Sequence, residues 1–177
     1  MDQSVPAVIR QGEWLVLVAP EWESSTPTEH PPSEVIVGGW MMNENGSAGP
    51  FQPNPDYVPA GEATPTDPLD AILRLIAEGE PRLADEFVSI MLDSVVEIGC
   101  DEDNQPAVTT ASDGIPCALI ATAQWQKRGI AVDSWWPVVG SALPDIVPAG
   151  TDILVNPNGY APFRLTVNAL RHTTSES

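Results

Sequence analysis

Residues 94–122 read SVVEIGCDEDNQPAVTTASDGIPCALIAT. Three short runs, SVVEIGC, PAVTTAS and IPCALIAT, are separated by the turn-forming pieces DEDNQ and DG, the pattern of an antiparallel meander. Working outward toward the N-terminus, TDPLDAILRLIAEGE is the clearest helix. Asp67, or Thr66 before it, can cap the free amides, Pro68 suits the first helical position, and Asp70 favours the positive end of the dipole. Leu69, Ile72, Leu73 and Ile76 recur at i, i+3, i+4 and i+7, and Gly79 stands where a terminating glycine belongs. The run PRLADEFVSIML should join it as a second helix.

Further upstream, GEWLVLVAPEW (12–22) reads as a strand whose nearly continuous apolar stretch predicts burial on both faces. ESSTPTEHPPS breaks it. EVIVGGWMM reads as a second strand, with Gly38 and Gly39 marking a bulge or a close backbone approach. NENGSAGPFQPNPDYVPAGEATPT is dense in Asn, Gly and Pro and predicts a turn plus a long surface loop.

Downstream of the meander, TAQWQKRG reads as a short helix closed by Gly129, and SWWPVVGSALPDI as another, broken by Pro137 and Pro144. DILVNP returns to the sheet. Asn156-Pro157-Asn158-Gly159 is read as a tight turn closing an antiparallel edge, where Pro fixes φ and Gly or Asn accepts positive φ. The chain should end in a short helix and a frayed tail. The expectation is one α+β domain over residues 1–177, mostly antiparallel, with two to four helices and with 1–11 and 172–177 frayed. A chain of 177 residues is long enough to bury roughly 70% of the surface its unfolded form exposes.

Charge is the most unusual global property. Against 25 acids stand 7 bases, a formal net of −18. Residues 1–121 hold 21 of the acids and only Arg10, Arg74 and Arg82, whereas 122–177 are balanced. Such a field repels nucleic acid and anionic lipid and steers a basic partner. Solubility alone, or a high-salt habitat, is the plainer explanation. The N-terminal MDQSVPAVIRQGEW lacks the basic and apolar regions of a signal peptide, and no run approaches the roughly 18 apolar residues of a membrane span, so a cytoplasmic protein without membrane insertion is expected. Cys100 and Cys117 fall near the middle of adjacent predicted strands. A disulfide is geometrically conceivable there, but buried free thiols are the expected state.

Chemistry-bearing patterns are sparse. Asp101-Glu102-Asp103 suggests calcium, yet an EF-hand loop starting there would need glycine and glutamate where Pro106 and Ser112 stand, so a solvated hairpin turn is the better reading. His30 and His172 have no partner at metal-ligand spacing, so neither a metal nor a cofactor is expected. No GxSxG elbow, Walker loop or GxGxxG turn is present, and the chain is read as not an enzyme. Six tryptophans against three phenylalanines is an unusual ratio. Trp14, Trp40 and Trp125 are expected to fill the core. Trp22, Trp135 and Trp136 sit at element ends, where indoles anchor interfaces, and Trp22, between Glu21 and Glu23, fits either role.

The blocks WLVLVAPEW, VIVGGW, NPDYVP, PTDPLDAILRLIAEG, TASDGIPCALIATAQWQKRG and DILVNPNGYAPFRL, in this order from about residue 12 to 171, resemble the actinobacterial type VII secretion system-associated proteins. Their C-terminal half is similar to the SseB N-terminal domain. Where SseB-like domains usually carry Phe-Thr-Ser, this chain has Ile120-Ala121-Thr122. The resemblance implies an SseB-like fold and a non-enzymatic partner of a type VII secretion substrate or of the machinery. Beside a secreted toxin it implies an immunity factor, in some systems against an NAD-hydrolysing toxin of the tuberculosis necrotizing toxin type. An adaptor or chaperone for secretion substrates is the alternative. The partner surface is expected on loops 20–34 and 43–66 and the tip 101–104. There Trp22 and Tyr57 would be anchors, and Glu21, Glu23, Asp56, Asp101, Glu102 and Asp103 would meet basic residues.

Overall fold

The structure, a computed structural model, describes residues 7–22 and 30–174. Strands β1 (Ala7–Gln11), β2 (Trp14–Val18), β3 (Ile36–Met42) and β4 (Ala48–Pro53) form an antiparallel sheet in chain order. Residues 7–11, expected to be frayed, are thus its edge strand, paired with β2 from Ala7↔Val18 to Gln11↔Trp14. The β2 strand is buried on one face, not on both. Val16 and Val18 point inward while Trp14, Leu15 and Leu17 stay half-buried, because this sheet lacks a helix layer on its second side.

The β4 strand lies inside a stretch expected to be loop. Its two prolines remove ladder donors, which an edge position tolerates. Packing on β3 provides the compensation. Phe51 meets Trp40 edge-on at 4.9 Å, and a Cβ on Gly38 would stand 2.5 Å from the Phe51 ring. The close approach expected at Gly38-Gly39 is therefore real, and a register shift falls just beyond it, between Trp40 and Met42.

Helix α1 (Pro68–Ala77) begins where its sequence places it. Asp67 caps it by accepting from the amides of Leu69 and Asp70. Helix α2 (Ala84–Leu92) follows after a 3-10 turn at Pro81–Leu83. The remaining strands are β5 (Val95–Cys100), β6 (Val108–Thr110), β7 (Pro116–Ala121), β8 (Ser134–Val139), β9 (Asp152–Val155) and β10 (Phe163–Leu165). They form a second sheet in the order β10-β9-β7-β5-β8, with β6 also beside β7.

Here the meander is corrected. In the register Ile98↔Ile120, Cys100 would stand opposite Ala118, but Val108 does. Strands β5 and β6 are therefore two pieces of one interrupted strand along the same edge of β7, with residues 101–107 looped out between them. The run SWWPVV, expected to be helical, is the edge strand β8, paired with β5 from Val95↔Val139 to Cys100↔Ser134. Pro144 opens the short helix α3 (Leu143–Ile146) and does not break it. Strands β7 and β9 run parallel, joined by the crossover 122–151. Strands β9 and β10 close antiparallel as expected. Cys100 and Cys117 are buried free thiols.

Helices α1, α2, α3 and α4 (Val167–Thr174) supply one side of the main core, where Leu69, Leu73, Phe87, Met91, Leu143 and Leu170 meet Val96, Ile98, Ile120, Ile153 and Val155. The first sheet has a much smaller cluster around Ala19, Val37 and Tyr57. The two sheets are joined where the Phe51 amide donates to Asp93 O at 2.9 Å and Phe51 bridges Ser94 in parallel. Together they form a single α+β domain with mixed helices and strands. Among the described residues no helix is long and apolar enough to cross a membrane.

Candidate functional site

The segment 61–67 runs between the two sheets and is tied to α1 by Arg74. Its guanidinium donates to Glu62 O at 2.8 Å and Thr64 O at 3.4 Å, and pairs with Asp70 at 3.0 Å. Asp67, 3% exposed, closes the segment. Its Oδ1 accepts the amides of Leu69 and Asp70, and its Oδ2 accepts the hydroxyls of Thr66 at 2.8 Å and Thr122 at 2.7 Å. Those hydroxyls in turn accept from Gln126 at 2.9 Å and from Asn156 at 2.9 Å. One carboxylate therefore joins α1 to the ends of β7 and β9.

Asn156 pays for that position with a left-handed backbone, φ 48°, which Asn tolerates better than most residues. A Cβ on Gly159 would lie 2.6 Å from Gln126 Oε1, so a side chain there would push the Gln126 amide aside. Burial, and secondarily the charge of Asp70, push the Asp67 carboxyl up to about 6 against the opposing bonds from Thr122, the Asp70 amide and Thr66. A raised carboxyl in a cleft is the usual mark of acid–base chemistry. Here its acceptor positions are all taken by structural donors, so it has no free lone pair for a substrate.

A cleft of about 530 Å³ opens between the first sheet and the start of α1. Leu17, Val37, Pro68, Ala71 and Ile72 form apolar walls, and Glu21, Tyr57 and Asp67 are its ionisable lining groups. Two of the residues expected to meet a partner, Glu21 and Tyr57, are thus brought together. Tyr57 is not an exposed anchor, however. It is 6% exposed and belongs to the small core, because the loop carrying it folds back under Val37 instead of projecting outward. Its hydroxyl makes no hydrogen bond among the described residues, and burial first, then the charges of Glu21 and Asp67, push it up to about 12.

The other expected contacts are dispersed. Trp22 is half-buried, its amide donating to Ala19 O at 3.1 Å. Asp56 is exposed and accepts from Ser33 Oγ at 3.2 Å. Glu23 lies outside the described residues. Asp101, Glu102 and Asp103 belong to the loop excluded from the second sheet, where Asp101 is occupied by the amides of Asp103 and Gln105. Among the described residues no hydrogen bond or ion pair links them to Glu21 or Asp56. No three His, Cys, Asp or Glu side chains converge as a metal site among the described residues.

A second cleft, about 400 Å³, lies on the other side of the same segment and was not expected. Arg128 stacks on Trp125 with its guanidinium carbon 3.1 Å from the ring centroid, and Arg74 packs on Tyr160 at 4.6 Å. Trp14, Trp40 and Trp125 are half-buried and not core residues. The available signal was Lys127-Arg128, one residue removed from Trp125, in a chain otherwise poor in bases. No family model, no curated protein and no solved structure matches this chain.

Proposed function

We propose that this chain is a non-enzymatic, cytoplasmic binding protein whose acidic face docks onto a basic protein. In its specific form it is an immunity protein that blocks a type VII-secreted toxin, an NAD-hydrolysing one being the form suggested by the sequence resemblance. The observation that carries this reading is the apolar cleft with Glu21 at its edge, set in a chain of net charge −18. Bases neutralise few of the acids. Among the described residues ion pairs occupy only Asp70, Glu80, Glu97, Asp113 and Asp152. Unpaired charge speeds encounter with a partner of opposite sign, while a concave apolar patch supplies the short-range energy that slows its release.

The test is co-expression with the product of the neighbouring gene, scoring growth rescue, followed by titration of the purified pair. Rescue with nanomolar, one-to-one binding is the expected result. Without rescue, and with only weak binding to secretion substrates, the immunity assignment fails and delivery of type VII substrates takes its place.

A further inference from the structure

We propose that the cleft between β2, β3 and α1 receives one lysine or arginine side chain, its aliphatic stem against Leu17, Val37 and Ile72 and its cationic head between Glu21 and Tyr57. This deepens the binding-protein reading and rests on it for its partner, but not for its test.

Three independent properties of the cleft point to such an occupant. Its walls are apolar, so a small hydrated cation or a sugar gains nothing from most of the lining. It holds two carboxylates and no basic group: Glu21 is exposed at the edge, and Asp67 is buried in the wall. Finally, Tyr57 lines the cleft, and its hydroxyl has no hydrogen-bond partner among the described residues, so an occupant that excludes water from it without replacing the bond loses on the order of 1–3 kcal/mol. An ammonium or guanidinium head would donate to it.

A purely apolar side chain would leave that hydroxyl unmet and gain nothing from either carboxylate. An anion would be repelled by both. Only a long side chain with an apolar stem and a charged tip matches walls and tip together. Asp67 contributes through its field and not through contact, since its oxygens are already bonded.

Three probes discriminate: n-butylammonium, n-butylguanidinium and the uncharged n-butanol, titrated at constant ionic strength into the full chain and followed by the resonances of Tyr57, Ala71 and Ile72. Saturable shifts localised to these residues are expected for both cations, with n-butanol about tenfold weaker, the loss of one charge-assisted hydrogen bond. The two cations together read which head fits better, a planar guanidinium or a compact ammonium.

Glu21→Gln, at an exposed position, should weaken the cations about tenfold and leave n-butanol unchanged. Equal binding of n-butanol overturns the proposal in favour of a neutral apolar ligand. Shifts scattered over Asp101, Glu102 and other surface acids overturn it in favour of diffuse screening. An unaltered cation affinity in Glu21→Gln also overturns it. If growth rescue fails while butylammonium still binds at Tyr57, the immunity assignment falls and the cleft assignment stands. Rescue that is indifferent to Glu21→Gln, with no probe binding, gives the reverse.

Discussion

The two sheets bury their apolar residues to very different extents. The six-stranded sheet is covered by four helices and encloses Phe87, Met91, Leu73, Ile98, Ile120 and Ile153 at 2% exposure or less. The four-stranded sheet has no helix of its own and gathers only Ala19, Val37 and Tyr57 into a cluster. The first is self-sufficient. The second leaves apolar surface beside a cleft, and apolar surface that folding does not bury remains available to a partner. Mutations in the four-stranded sheet should therefore affect binding more than stability, and those in the six-stranded sheet the reverse.

The largest effect should come from the helical side. Phe87→Ala removes a fully buried ring, which meets Phe163 edge-on at 5.3 Å, and should cost about 3–5 kcal/mol in chemical denaturation. Val37→Ala in the small cluster should cost only about 1–2 kcal/mol. If the two losses are equal, the sheets form one cooperative core and the contrast between them breaks down. Amide exchange sharpens the same point: β2 and β3 should open at lower free energy than β5 and β7.

Asp67→Ala comes next, because the residue belongs to both sides of the comparison. It removes the cap of α1 and strands the hydroxyls of Thr66 and Thr122. The expected loss, measured at pH 5, is about 2–4 kcal/mol. A loss below about 0.5 kcal/mol would mean that the network decorates the joint without holding it.

The same carboxyl sets a pH dependence. Its folded value of about 6 lies above the 3.8 of an ordinary aspartate, so the native state holds the extra proton between roughly pH 4 and 6. Stability attributable to Asp67 is therefore greatest at the acid end, falls as pH rises through this window and levels off above it. The fall should be on the order of 3 kcal/mol. Asp67→Asn keeps an acceptor for the cap and removes the titration, so its stability should lose that slope. An unchanged slope would assign it to the remaining acids and their mutual repulsion.

These contrasts also show what the sequence could convey. Helix α1 was legible with its start narrowed to Thr66 or Asp67, since the cap, Pro68 and the apolar periodicity act close together in the chain. Strand β4 was hidden because Pro50 and Pro53 obscure a strand that Phe51 and Gly38 hold by cross-strand packing. Strand β8 was hidden by Pro137 for the same reason. The pairing of Thr122 with Asp67 and Asn156 spans 55 and 34 residues, and no local pattern encodes contacts at that distance. Of the residues expected to meet a partner, the exposure of Glu21 could be read from its charge beside a loop. The burial of Tyr57 could not, because it depends on how the loop 54–58 returns to Val37 and Val35, with the Asn54 amide donating to Val37 O at 3.0 Å.

The smallest effect is expected at the turn following β9. Asn158 donates to Arg128 O at 3.3 Å from an exposed position, a bond near the weak end of the useful range. Asn158→Ala should therefore lower stability by only about 0.5 kcal/mol and leave butylammonium binding at Tyr57 untouched, since the residue borders the other cleft, with Trp125 and Arg128. Thermal denaturation and the same probe titration measure both quantities on one sample. Unchanged stability with lost partner binding would move the contact surface across the 61–67 segment, to the side where a guanidinium and an indole already stack.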